Sequence, residues 1–168
     1  NNNGLADAGE RGIENVEIIL YEVGTNGVKD GGGDDIAIDT LLTDVSGNYL
    51  FDTLITGTYY VKINSGIPTN MYSSTGTGFD GSQPVAYEPS TVMDNNTDND
   101  DDGTQMISGG QLMVMSDTIN LFKFEESVTD EDTDNRSNTT VDFGLIRLLS
   151  IGNLVWEDSD NDGLFNNG

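Results

Sequence analysis

The chain has 168 residues, 30 of them acidic and 6 basic, for a formal net charge of -24, and it contains neither Cys nor His. Such a surface repels nucleic acid and anionic lipid, and the missing thiols and imidazoles exclude the usual zinc, iron and thiol chemistry, leaving oxygen-seeking divalent cations as natural partners. No apolar run is long enough to span a bilayer, so no membrane insertion is expected, and the length suits one domain with a modest core.

Taken in order, residues 12–21 (GIENVEIILY) alternate, which puts Val16, Ile18 and Leu20 on one face of a half-buried antiparallel strand. Residues 24–35, with Gly31-Gly32-Gly33 at their centre, read as a long, exposed, flexible loop. Leu41 starts the next predicted strand, Asp44 to Gly47 turns, and Asn48 to Phe51 returns as a strand. After a second turn ending at Gly57, residues 58–64 (TYYVKIN) place Tyr59, Val61 and Ile63 on one face. Residues 65–110 are mostly Gly, Ser, Thr, Asn and Asp and read as loop, long enough to suggest a function or ordering by metal. Residues 112–115, 118–124 and 139–146 read as further strands, and no stretch has a helical period. The expected fold is therefore an all-β antiparallel sandwich with long acidic loops.

At the end of the chain, an apolar run through Trp156 is followed by Asp158-x-Asp160-x-Asp162-Gly163. Alternate oxygen side chains followed by Gly at the sharp turn are how a calcium loop begins. Reading the first residues as if they followed the last yields a second loop in register, Asn167-x-Asn1-x-Asn3-Gly4-x-x-Asp7-x-x-Glu10. The expectation is a unit of an end-to-end array, covalent or assembled from separate chains, divided within a calcium loop. Asp158, Asp160, Asp162 and Asn166 would hold the ion from one side of the joint, with Asn3, Asp7 and Glu10 on the other. The bland alternative is a solvated Asp/Asn turn.

Four stretches in combination, LVWEDSDNDG, GLADAGERGIENVEIILY, TDVSGNYLFDTLITGTYYVKI and NTTVDFGL, resemble the B-type domains of bacterial serine-aspartate-repeat surface adhesins, which are related to the collagen-adhesin B repeats. The resemblance covers nearly the whole chain. It implies a calcium-stabilised, prealbumin- or immunoglobulin-like β-sandwich serving as a stalk or spacer on a cell surface. In that family the strand carrying the Trp comes first and the VDFG strand last, whereas here residues 150–157 come last. Residues 1–147 are accordingly expected to form a sandwich lacking the family's first strand, and residues 148–168 to be a strand and calcium loop belonging to the following unit. A Lys on the first strand forms an isopeptide bond in some collagen-adhesin domains; Lys29, Lys62 and Lys123 lie outside both candidate strands, so none is expected.

Two further acidic runs are candidate ligand sets. Residues 94–102 hold five Asp in nine positions, which repel one another unless a cation sits among them; Asp94, Asn96, Asp98, Asp100 and Asp102 are the expected ligands, and the resemblance implies the same ion. Asp130, Asp132 and Asp134 start a third loop that lacks a closing Glu. Against these stands the reading of plain solvated acidic loops. Trp156, the only Trp, is expected to anchor a core rather than stack on sugar. No nucleophile, base and orienting group stand in a catalytic pattern, so no enzyme is expected.

The residues thus point to a calcium-binding structural repeat of an extracellular stalk or filament, its partners being neighbouring units of the same kind. The alternative is an adhesin module for a host protein or glycan, for which Tyr72, Phe79 and Tyr87 are the only grouped loop aromatics. The strand at residues 150–157 is expected to complete the neighbour's sandwich by β-augmentation.

Overall fold

A computed structural model describes residues 6–29, 31–74, 101–108, 111–123, 135–147, 151–153, 155–157 and 163–164. Among the described residues eight strands follow in chain order: β1 (Glu17–Glu22), β2 (Ile36–Leu42), β3 (Gly57–Ser65), β4 (Met71–Ser73), β5 (Thr104–Ser108), β6 (Gln111–Met115), β7 (Ile119–Leu121) and β8 (Leu145–Arg147). Six of them share one antiparallel sheet, ordered β2-β1-β3-β6-β5 with β7 also alongside β3; β4 and β8 form a second, two-stranded sheet. The architecture is an all-β antiparallel sandwich, as the alternation of apolar residues predicts.

β1 and β3 make the centre: each puts alternate apolar residues on the core face, and residues 59–63 of β3 are buried on both faces. Ile18 lies opposite Ile63 and Leu20 opposite Val61. Val16, Ile18, Leu20, Tyr59, Val61, Ile63, Val114 and Ile119 form the buried core, covered from the second layer by Tyr49, Phe51, Val141 and Phe143. β6 and β7 are one strand interrupted at residues 116–118. There Ser116 takes over the ladder: its N–H donates to the Val61 carbonyl and its Oγ accepts the Val61 N–H, both at 2.9 Å.

The opposite face of the sheet is also covered. Tyr21 and Tyr60 stack with ring centroids 5.1 Å apart, and Met115 packs with them. The Gly-rich loop closes over this cluster. Tyr60 Oη donates to Asp35 at 2.6 Å and accepts the Gly31 N–H at 2.9 Å, while Asp34 and Asp35 carboxylates take N–H groups from Asn26 and Gly24. The loop expected to be flexible is therefore pinned at its described residues by its own Asp side chains, because each short acceptor replaces a strand partner for an N–H that would otherwise go unmet. Burial, helped by Asp35, raises the Tyr60 hydroxyl pKa, so the donor stays protonated.

Three other expectations shift. The strand predicted to start at Leu41 instead ends at Leu42, having begun at Ile36. It is an edge strand with Ile36, Ile38 and Leu42 exposed, so no buried face marks it in the sequence. The stretch 65–110 is not all loop, since β4 and β5 fall inside it. Residues 48–51 and 139–144, expected as strands, lie in no ladder. The turn before residues 48–51 is as expected: Asp44 accepts the Ser46 and Asn48 N–H groups at 2.8 and 2.9 Å, which holds its carboxyl below the usual range. This turn packs against Gly12, where an added Cβ would stand 1.7 Å from the Ser46 carbonyl oxygen, so only glycine fits.

Candidate functional site

Two consecutive aspartates lead into β5. Asp101 is 1% exposed and Asp102 3%. The backbone of Asp102 donates to the Asp142 carbonyl, and the Asp142 N–H returns to Asp102 Oδ2, both at 3.0 Å. Asp101 accepts the Gly103 N–H at 2.9 Å on one carboxylate oxygen and the Ser74 hydroxyl on the other. Around them Ser74 N–H donates to the Gly144 carbonyl and Ser73 N–H to the Gln105 side chain. Gly144 lets these groups close in, because a Cβ there would lie 2.8 Å from Ser74 Oγ and 2.9 Å from Asp101 Oδ2.

Adjacent buried carboxylates are expensive. Each loses hydration, and each raises the cost of ionising the other. Hydrogen bonds from N–H and hydroxyl groups offset part of that cost. The field reaches the core: burial pushes the Tyr49 hydroxyl pKa well up, and the charges of Asp142 and Asp102 add to the shift. Among the described residues, no group of three or more acidic side chains is gathered into a metal cage.

Of the residues expected as ligands, Asp102 sits in this buried network, while Asp7 and Glu10 sit together in an exposed N-terminal turn. There the Glu10 N–H donates to the Asp7 carbonyl at 3.0 Å and the Asp7 N–H to Glu10 Oε2 at 3.1 Å. Asn3, Asp94, Asn96, Asp98, Asp100, Asp130, Asp132, Asp134, Asp158, Asp160, Asp162 and Asn166 lie outside the described residues. Asp142 and Ser74 were not anticipated, and Asp101, inside the acidic run 94–102, was not among the expected ligands. The usable signal was the Asp-Asp-Gly directly before a strand together with the single Asp inside VDFG.

A family model described as SdrD B-like domain matches residues 1–145. The chain belongs to this family. It is 29% identical over 98% of its length to serine-aspartate repeat-containing protein F of Staphylococcus epidermidis, of which it covers 8%. It is 31% identical, again over 98% of its length, to serine-aspartate repeat-containing protein I of Staphylococcus saprophyticus, covering 7% of that protein. With serine-aspartate repeat-containing protein D of Staphylococcus aureus it shares 26% over 97% of its length, or 9% of the relative. The chain thus spans less than a tenth of these relatives. No solved structure matches it.

For this SdrD B-like domain, the remaining expected features stand as follows. Trp156 is 42% exposed and belongs to neither core cluster; Ile151 and Val155 are almost fully exposed. Tyr72 is half-buried in β4, opposite Ile146 of β8, while Phe79 and Tyr87 lie outside the described residues. A hollow of about 300 Å³ lined by residues 64–72 has no charged lining residue. No helix among the described residues is long and apolar enough to cross a membrane.

Proposed function

We propose that this domain is a calcium-stabilised structural repeat of an extracellular bacterial surface stalk or filament, joined end to end through residues 150–157 and a calcium loop shared across the joint. The observation that carries the calcium reading is the pair of buried neighbouring carboxylates, Asp101 and Asp102, tied to Asp142 at the edge of the sandwich. A bound divalent cation would neutralise charge that hydrogen bonds alone only partly offset. Asp102 and Asp101 would face it from this side, with further oxygens from the acidic run that precedes them, Asp94 to Asp100. Asp7 and Glu10, linked by the Asp7 N–H to Glu10 Oε2 hydrogen bond, would supply ligands of the joint site. The family assignment and the net charge of -24 favour the same reading, since a stalk of such units would otherwise repel itself.

An ion that binds only the folded state stabilises it by mass action. Excess chelator should therefore lower the melting temperature by about 10 °C, as a few kcal/mol does for a domain of this size. Calorimetric melts in calcium and in chelator measure this directly, and superimposable curves would remove calcium from the reading.

A further inference from the structure

Among the described residues Asn26-Gly27 is the only Asn followed by Gly, and it lies exposed in the first turn of the Gly-rich loop. Glycine carries no Cβ, so no side chain of its own keeps its backbone nitrogen from the preceding Asn amide. We propose that Asn26 is a self-modification site: the Gly27 nitrogen displaces the Asn26 side-chain amide as ammonia, and the aspartyl or isoaspartyl product loosens the loop that covers Tyr21 and Tyr60.

Three features of the turn favour the step. Asn26 Oδ1 accepts the Val28 N–H at 2.6 Å, which folds the side chain back along the following peptide, toward the Gly27 nitrogen, and polarises the carbonyl to be attacked. Gly27 sits at a φ of 69°, and a Cβ built there would meet nothing within 4 Å, so the backbone has room to move. The bond that holds the attacking group, Gly27 N–H to the Gly24 carbonyl at 3.1 Å, lies in an exposed turn, the kind of structure that opens at little free-energy cost.

The step balances with water alone. Water or hydroxide takes the Gly27 amide proton, the nitrogen lone pair forms a bond to Asn26 Cγ, and the Cγ–Nδ2 bond breaks as Nδ2 leaves, protonated, as ammonia. One water then opens the cyclic imide and returns a proton to the Gly27 nitrogen. Opening at the backbone side of Cγ leaves Asp; opening at the other carbonyl routes the main chain through the former side chain and lengthens the turn by one methylene.

The products act where the loop is pinned. The Asn26 N–H donates to Asp34 Oδ2 at 3.1 Å and the Thr25 hydroxyl to the same oxygen at 3.0 Å, while Asp35 ties the Gly24 N–H to the Tyr60 hydroxyl. A new carboxylate at position 26 repels Asp34, in a chain whose net charge is already -24. The longer backbone also shifts Gly27 and Val28 away from the acceptors they now use. Both changes weaken the closure over the stacked tyrosines.

The test holds the full chain and a synthetic peptide of residues 21–29 side by side in warm neutral buffer. Peptide mapping by mass spectrometry follows position 26, with ammonia release and anion-exchange retention read in parallel. Asn26 in the folded chain should convert within roughly tenfold of the peptide's rate, because only a local opening separates them. Conversion should speed up as the pH rises, since the attacking nitrogen must lose its proton. Asn26→Gln, which would have to close a larger ring, should show no conversion at that position. An Asn26 that is still an amide long after the peptide is fully converted overturns the proposal, because the reaction would then be waiting for global unfolding. In the isolated isoaspartyl chain the Gly24 and Gly31 amides should exchange roughly tenfold faster while Val61 keeps its protection. Asn26→Asp, with the charge but not the methylene, should show a smaller acceleration. Unchanged exchange at Gly24 and Gly31 in the isoaspartyl chain overturns the loosening.

Discussion

β1 and residues 139–144 are written in the same alternating pattern and end in different states. On β1, Ile18 and Leu20, with Val16 just before it, are buried, and both backbone edges are paired, to β2 on one side and β3 on the other. In residues 139–144, Val141 and Phe143 pack on the same core but stay half-exposed, and Asp142, Gly144 and Val141 bond to Asp102, Ser74 and the Tyr49 hydroxyl without joining a ladder. Alternation thus specifies which face turns inward. A strand forms only where a second backbone lies within reach.

The largest effect that sharpens this contrast comes from the complete side. Ile18→Ala removes a fully buried side chain and should cost about 2–5 kcal/mol in urea unfolding. Phe143→Ala, on the open layer, should cost well under the about 3–5 kcal/mol of a fully buried Phe, because part of its ring is already in water. Equal costs for the two substitutions would mean that the two layers are equally buried.

A smaller effect tests how the complete sheet bridges its own interruption. Ser116 is fully buried between β6 and β7, where its Oγ accepts the Val61 N–H and donates to the Asp117 carbonyl at 2.8 Å. Ser116→Ala orphans a buried N–H in the middle of β3 and should cost about 1–3 kcal/mol. Amide exchange should localise the loss to Val61, whereas Ser116→Thr keeps the hydroxyl and should recover part of it. A neutral alanine substitution would show that the interruption is wet and that the sheet is less closed than its geometry suggests.

The two layers also differ in how well the sequence announces them. Tyr59, Val61 and Ile63 alternate without interruption, and the core face of β3 follows directly. β2 escaped because an exposed edge strand has no buried face to display: Ile36 and Ile38 look like the tail of a Gly/Asp loop. The pinning of that loop by Asp34 and Asp35 was hidden for another reason. It depends on Tyr60, 25 residues further on, and on which backbone donors lack partners, neither of which is a local property. The acidic site was half legible. Alternate Asp spacing singled out Asp102 but not Asp142, and these two meet only because the residues leading into β5 and the VDFG stretch lie side by side.

The smallest expected effect lies on the rim of the complete sheet, where Lys29 from the Gly-rich loop meets Asp117 at 2.8 Å and also donates to the Ser116 carbonyl at 2.8 Å. The Lys29 hydrogen bond is the main cause holding the Asp117 carboxyl below its ordinary value of 3.8, with the Thr118 N–H assisting. A carboxyl whose pKa is lower folded than unfolded stabilises the fold above the unfolded value, and that contribution is lost as the pH falls through the folded one. The pair is largely solvated, so its worth is about 0.2–1 kcal/mol at moderate salt. Asp117→Asn keeps the shape and removes the charge. It should lower stability slightly at neutral pH, leave it unchanged well below pH 3.8, and lose its effect in high salt. A deficit that persists in acid would instead show that the substitution disturbs more than the charge, with the Thr118 N–H bond to the Asp117 side chain the contact at stake.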